Sequence, residues 1–158
     1  MNTQFPRIHF KSLKAVSLVL TIAITVNLMG TISLAHSATM NREEIVAMVR
    51  RQATAWENGD VAAIIADFAE DALFIAARKE FKGREAIQKA AEDYFARFSD
   101  VKVKILRIIV EGNSGAVQWD WSDRTQETEV ASYAEDAIIF ELKDRKIIYW
   151  REYIEKVS

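Results

Sequence analysis

The sequence predicts an α+β fold, with helices on one face of a curved antiparallel sheet. Two patterns of apolar residues support this fold class. In the first half of residues 39–158 they recur at helical spacing, and in the second half they alternate with polar residues. The only proline is Pro6, and no low-complexity linker divides the remainder. Residues 39–158 are therefore expected to form a single domain.

Three helices are predicted in the first half of this domain. Asn41 can cap the first, with Glu44 three residues on as in a capping box, and Asn58-Gly59 ends it. Asp60 caps the second helix, and Gly83 opens the third. Their apolar faces are Ile45, Met48, Val49, Gln52, Ala53 and Trp56, then Val61, Ile64, Ile65 and Phe68, then Ile87, Ala90, Ala91, Tyr94, Phe95 and Phe98.

Strands are predicted between and after these helices. Two short strands, residues 72–75 and 79–82, precede the third helix. Residues 101–105 alternate strictly, as a half-buried strand does, and three more strands follow over residues 116–123, 129–143 and 146–155. Turns at residues 112–115 and 143–145 join them into an antiparallel meander.

Residues 1–38 are predicted to be a secretory signal. Residues 1–14 hold three basic side chains and no acid, and residues 15–35 carry no charge. Cleavage is expected after Ala35 or after Ala38, which makes the protein periplasmic or secreted. The alternative is an uncleaved membrane anchor over residues 15–35.

The composition excludes several chemistries. The chain has no Cys, and both histidines, His9 and His36, lie in the leader, so thiol and imidazole catalysis are not expected in residues 39–158. That part keeps 18 of the 21 basic residues and all 23 acids, a formal net charge of −5 without a basic cluster, so nucleic acid is not an expected partner. Neither a phosphate loop nor a zinc motif occurs, and no cofactor or metal is predicted, although carboxylate-bound Ca²⁺ or Mg²⁺ stays open.

Four segments resemble the SnoaL-like branch of the nuclear transport factor 2-like superfamily. They are residues 56–60 (WENGD), 68–74 (FAEDALF), 81–87 (FKGREAI) and 146–153 (KIIYWREY). The resemblance implies a cone-shaped fold, in which three N-terminal helices pack on a strongly curved, mostly antiparallel sheet that encloses a deep pocket. It also implies a homodimer through the outer face of the sheet. Members include ketosteroid isomerase, polyketide cyclases, an epoxide hydrolase, a dehydratase and subunits without catalytic role.

Alternation along the last three strands indicates which side chains face the pocket. The more apolar sets are Val117, Trp119, Trp121 and Asp123, then Ala134, Asp136, Ile138, Phe140 and Leu142, then Ile148, Trp150, Glu152 and Ile154. They match the pocket-facing positions of the resembled family. The predicted ligand-binding residues are Trp119, Trp121, Trp150, Ile138 and Phe140, with Trp56 and Gln52 of the first helix as a cap. The three strand indoles can equally be plain core residues.

Glu152 and Asp136 are the predicted catalytic residues. The resemblance places Glu152 where the epoxide hydrolase has a catalytic aspartate, and an apolar surrounding raises a carboxyl pKa into a useful acid–base range. If the last hairpin pairs Ile138 with Glu152, Asp136 lies on the diagonal, close enough to split the two pKa values. The alternative is that both acids are ion-paired or solvated. Asp123 is expected in solvent near a hairpin tip, and Tyr94 in the core.

Two functions therefore remain open. One is an acid–base enzyme of isomerase, cyclase, dehydratase or hydrolase type, acting on a small hydrophobic substrate through pocket carboxylates. The other is a non-catalytic ligand-binding or assembly module. Departures from the catalytic patterns of the resembled enzymes, such as Ala76 and Gln52 at positions where ketosteroid isomerase has its base and its phenol donor, favour the second. Glu152 inside the pocket lining favours the first.

Overall fold

The computed structural model describes residues 39–157 of the chain, and the predicted leader, residues 1–38, lies outside them. The helices are α1 (Arg42–Asn58), α2 (Val61–Ala66) and α3 (Arg84–Phe95). The strands are β1 (Phe68–Ala76), β2 (Lys79–Lys82), β3 (Phe98–Glu111), β4 (Ser114–Thr125), β5 (Ala131–Lys143) and β6 (Lys146–Lys156). Across residues 39–157, no helix combines the length and the apolar character needed to cross a membrane.

The six strands form one mixed sheet in the order β2-β1-β6-β5-β4-β3. Only β1 and β6 run parallel, and the other pairs are antiparallel. The α+β class is confirmed, whereas the three N-terminal helices are matched only in part, because α3 follows the β1–β2 hairpin. Phe68 and Phe98, predicted on helices, begin β1 and β3 instead, since their backbones pair with Ile147 and Thr125.

Local signals place α1 and α2 as the sequence predicts. The Asn41 side chain accepts from the Glu44 backbone N–H at 2.9 Å, and the Glu44 carboxylate accepts from the Asn41 N–H at 2.9 Å, which completes a capping box. Gly59 ends α1 with φ of 64°, in the left-handed region that glycine adopts without a steric penalty. The Asp60 carboxylate then accepts from the Ala63 N–H and starts α2.

The core lies between α1 and one face of the sheet. Ile45, Met48 and Val49 of α1 are fully buried, as are Trp119 and Ile138 on the strands. Along β5 every second residue from Ala134 to Leu142 is buried, which confirms the alternation that the sequence predicts. This packing makes one face of β4, β5 and β6 apolar.

The alternation of β6 is interrupted at its start. The register shifts between Glu141 and Leu142, so that Leu142 pairs with Ile147. Ile147 is fully buried and Ile148 only partly, which corrects the expectation that Ile148 belongs to the inward set. An irregularity of this kind changes which face the next residues present. Beyond it, Trp150 and Glu152 occupy the inward positions that the sequence predicts.

Gly115 offers a test of the packing between β3, β4 and β5. A Cβ at this position would lie 2.4 Å from the Ile109 carbonyl oxygen and 2.4 Å from Phe140 Cζ. We expect Gly115→Ala to lower the free energy of unfolding by about 2–3 kcal/mol in urea denaturation, because the added methyl overpacks the core.

Gly112→Ala is the matched control. Gly112 has φ of 57° and nothing within 4 Å of an added Cβ, so only backbone strain of about 1 kcal/mol is expected. Equal destabilisation by the two variants would contradict the close approach at Gly115.

Candidate active site

A cavity of about 390 Å³ lies between α1, α3 and the inner face of the sheet. Its apolar wall includes Trp56 of α1, Phe74 and Phe81 of the first hairpin, Phe98 of β3 and Trp121 of β4. Three acids, Asp123, Asp136 and Glu152, also line it. A mostly apolar concavity with a few convergent polar groups is typical of a ligand site.

The register of β5 and β6 brings Asp136 and Glu152 together. Ile138 pairs with Glu152 and Asp136 with Ile154, so the two acids occupy diagonal positions on the inner face, as the sequence predicts. Diagonal neighbours of this type are about 7–8 Å apart. Asp136 is 5% exposed and Glu152 is partly buried. Neither carboxylate forms a salt bridge with any cation of residues 39–157.

Each of these carboxylates accepts one hydrogen bond from an indole. Trp119 Nε1 donates to Asp136 Oδ2 at 3.2 Å, and Trp150 Nε1 donates to Glu152 Oε1 at 3.1 Å. The second Asp136 oxygen, Oδ1, is buried and has no partner among the described residues. One neutral donor compensates little of the cost of burying a carboxylate, so the protonated form of each acid is favoured.

The two carboxyl groups consequently have raised and different pKa values. Burial raises the pKa of Asp136 from 3.8 to about 6, against the opposing effect of the Trp119 hydrogen bond. Burial and the nearby charge of Asp136 raise the pKa of Glu152 from 4.5 to about 8, against the Trp150 hydrogen bond. At neutral pH this pair thus consists of one carboxylate, Asp136, and one carboxylic acid, Glu152.

The remaining predicted site residues are divided between wall and core. Trp56 and Trp121 line the cavity. Trp119 and Trp150 are buried among the core residues and reach the site through their N–H groups, and Ile138 and Phe140 are fully buried in the same core. None of these four is among the residues that line the cavity within residues 39–157.

Gln52 lies away from the cavity wall. Its Nε2 donates to the Ile64 carbonyl at 2.9 Å and to Asp67 Oδ2 at 3.2 Å, which ties α1 to α2 and to the start of β1. The side chain is 1% exposed. Gln52 is therefore a buried structural link in this geometry, because its donor group is already used.

Sequence reasoning missed a second polar cluster at the same cavity. Tyr94 Oη donates to Asp123 Oδ2 at 2.5 Å, and Ser132 Oγ donates to Asp123 Oδ1 at 2.5 Å. Trp121 Nε1 adds hydrogen bonds of 3.0 Å to Tyr94 Oη and 3.1 Å to Asp123 Oδ2. Asp123 is 8% exposed, which corrects the expectation that it is solvated near a hairpin tip.

A pattern in the sequence could have revealed this cluster. Ser132 continues the inward series of β5 by one step, and it pairs directly with Asp123 of β4. Burial and the Asp123 carboxylate raise the pKa of the Tyr94 hydroxyl, so Tyr94 stays protonated and donates its hydrogen bond. Unlike Asp136, Asp123 has partners for both oxygens.

The described residues also bear on metal binding. Within residues 39–157, no three acidic side chains come close enough together to hold a metal ion.

The chain belongs to the SnoaL-like family, whose sequence profile matches residues 49–150. None of the curated proteins matches the sequence significantly. The profile match confirms the family resemblance that the four segments predict.

Solved structures with the same fold include enzymes. One is an epoxide hydrolase of M. tuberculosis similar to limonene-epoxide hydrolases, with TM-score 0.63, 19% identity and coverage of 72% of this chain and 84% of that chain. Another is SalBIII, an epoxide hydrolase/cyclase-like enzyme of pyran ring formation in salinomycin, with TM-score 0.65, 18% identity and coverage of 73% and 93%. A third is a hypothetical protein of Catenulispora acidiphila with a ketosteroid isomerase-like fold, in complex with trimethylamine, with TM-score 0.63, 19% identity and coverage of 67% and 83%. At these identities the likeness concerns the fold.

The raised pKa values predict how stability depends on pH. Each acid binds its proton more tightly in the folded state, so stability is lost as pH rises from 3.8 to about 6 for Asp136 and from 4.5 to about 8 for Glu152. We expect the free energy of unfolding, measured in urea, to fall across this whole range. Glu152→Gln should abolish the part of the decrease between about pH 6 and 8.

Glu155→Gln serves as the control, because Glu155 lies on the same strand and is exposed. It should keep the full pH dependence. A Glu152→Gln protein with the wild-type slope would contradict the raised pKa of Glu152.

Proposed function

We propose that this protein is an acid–base enzyme of isomerase, cyclase, dehydratase or hydrolase type that acts on a small hydrophobic substrate. The observation that carries the proposal is the pair Asp136 and Glu152, two carboxyl groups of one apolar cavity with opposite protonation states at neutral pH. Groups whose environments separate their pKa values in this way are suited to serve as base and acid.

The proposed division of work follows from the two protonation states. Glu152 donates its proton to a substrate oxygen, and Asp136 removes a proton from a substrate carbon, from a substrate hydroxyl or from water. Asp136 lines the cavity, and no cation of residues 39–157 forms a salt bridge with its carboxylate. The enzyme ends with Asp136 protonated and Glu152 ionised, and exchange with solvent restores the starting state.

Trp119 and Trp150 are proposed to position these two groups. Each indole is fully buried and donates its N–H to one oxygen of one carboxyl group. Such a contact orients the carboxyl plane. The proposal includes the cone shape, with the sheet curved around the cavity, since residues of β2 and of β4 line the same cavity.

The solved relatives support this class of chemistry by analogy only. Two of them are described as epoxide hydrolase-like enzymes, one of these also as cyclase-like. A fold carries many reactions, so the analogy supplies a first set of test substrates rather than an assignment.

Export through residues 1–38 is also proposed, on the charge and hydropathy of that segment.

The acid–base proposal predicts a large effect of removing either carboxyl group. On a panel holding a small hydrophobic epoxide and a β,γ-unsaturated ketone, we expect Glu152→Gln and Asp136→Asn each to lower kcat about 10²–10⁴-fold. The wild-type rate should follow a bell-shaped pH profile, with limbs at about 6 and about 8. Steady-state kinetics across this pH range provides the measurement.

Glu135→Gln and Glu155→Gln are the matched controls for these two variants. Both glutamates lie on the same strands with exposed side chains, and their replacement should leave kcat unchanged. Turnover that survives in both pocket variants, or that falls equally in the controls, would contradict the assignment.

A second candidate function, an assembly module, is favoured by the outer face of the sheet. A groove of about 900 Å³ is lined by Arg107, Ile109, Glu135, Arg151 and Tyr153 of this face among others, and Asp136 and Glu152 also border it. Ile109 and Tyr153 are large apolar residues that are 53% and 48% exposed. Charges of both signs beside exposed apolar groups suit a two-fold contact, so we propose a homodimer through this face.

The dimer has a direct test. Ile109→Glu should shift the protein to a monomer in sedimentation velocity at micromolar concentration, because it buries a charge in the interface. Val130→Glu is the control, since Val130 is 60% exposed but is not among the residues that line the groove. A wild-type monomer, or a dimer that survives Ile109→Glu, would contradict this interface.

A further inference from the structure

Three cationic side chains line the cavity near the edge of the sheet where β1, β4 and β6 end. β1 and β6 run parallel, so their carboxyl ends lie at the same edge of the sheet. Lys156 is the last residue of β6, and Lys79 begins β2 just after the turn that follows β1. Arg97 follows α3, and its carbonyl accepts from the Gln126 N–H at 2.9 Å, just beyond the end of β4. All three residues line the cavity.

These three cations have no ion-pair partner among the described residues. Within residues 39–157, no carboxylate forms a salt bridge with Lys79, Arg97 or Lys156. Arg97 Nε donates to the Asp93 carbonyl at 3.0 Å, and its guanidinium lies over the Phe98 ring at 5.4 Å. Since Phe98 is part of the cavity wall, these two contacts hold the Arg97 charge at the rim.

The acids of the cavity balance this charge only in part, because Asp123 and Asp136 supply two negative charges against three positive ones. Asp123 already accepts hydrogen bonds from Tyr94 and Ser132, and Asp136 and Glu152 accept theirs from indoles. All three cations are exposed, whereas Asp123 and Asp136 are buried. The exposed cations therefore mark the mouth of the cavity, and its lining also includes aromatic walls and the less exposed carboxyl groups.

We propose that the cavity takes an amphipathic organic acid, with its carboxylate or sulfonate among Lys79, Arg97 and Lys156 and its apolar body against the aromatic walls. This inference deepens the proposed function by naming the substrate class. It depends on that function only for the reaction at the inner end, because binding of the anion needs no catalysis.

Charge and geometry favour an anionic ligand over a neutral one. A neutral hydrophobic molecule would gain from the walls alone and would leave the cations without a role in recognition. An anion at the mouth gains attraction from three unit charges, and its apolar part loses water at the same time. Because the mouth is exposed, the attraction is screened by salt.

The experiment compares two fluorescent probes that share one aromatic framework. 1-Anilinonaphthalene-8-sulfonate carries a sulfonate, and N-phenyl-1-naphthylamine lacks it. In fluorescence titrations of the full-length protein, we expect the sulfonate probe to bind more tightly. Lys79→Gln, Arg97→Gln and Lys156→Gln should each weaken its binding about two- to five-fold, the range of an exposed charge contact, and leave the neutral probe unchanged.

Lys143→Gln is the matched control. It removes the same charge from an exposed residue at the carboxyl end of β5, away from the cavity lining. Ala90→Phe, which fills the cavity from α3, should weaken both probes while circular dichroism confirms the fold. Equal affinity for the two probes, or charge variants that behave like Lys143→Gln, overturns the inference. So does a sulfonate probe that is insensitive to Ala90→Phe. None of these results bears on the kinetic test of Glu152, so the two proposals fail separately.

Discussion

The structure of the site depends on the burial of Asp136 and Glu152 with one indole donor each. Burial in an apolar wall opposes the charge of a carboxylate, and a single neutral N–H offsets only part of that cost. Both acids therefore bind protons more tightly than in water, and the charge of the first one to ionise raises the pKa of the second. Had either carboxyl group paired with Arg or Lys, its pKa would have moved the other way.

The four tryptophans of the chain have two different roles, in the cavity wall and in the core. Trp56 and Trp121 form cavity wall, whereas Trp119 and Trp150 belong to the core and present only their N–H groups to the site. The core and the site are thus continuous. A residue that packs under α1 also orients a carboxyl group, so substitutions there would affect both stability and chemistry.

The cavity contains two acidic clusters with contrasting environments. Asp123 has donors for both oxygens, from Tyr94, Trp121 and Ser132, and so suits a fixed structural anchor. Asp136 has a single donor, and its second oxygen is buried without a partner, which favours the protonated form and suits a group that exchanges a proton. The number of donors around each carboxylate separates the two roles, since both acids are buried to a similar degree.

Much of the fold, and the pair of acids in the cavity, could be predicted from local sequence patterns, because helix caps and strand alternation act over a few residues. Asn41 and Asp60 start the helices as the sequence indicates, and the alternation of β5 and β6 is enough to bring Asp136 and Glu152 to one face. The family, too, is evident from the four segments. The sequence by itself thus determined the fold class, the family and the pair of acids.

Only the tertiary structure decided what surrounds those acids. The use of Gln52 as a link to Asp67 and the hydrogen bond of Tyr94 to Asp123 join residues that are 15 and 29 positions apart in the chain. The same holds for the cations at the cavity mouth, which come from three separate elements. Local patterns cannot predict these contacts, because they depend on how the elements pack, and packing also sets the burial that shifts each pKa.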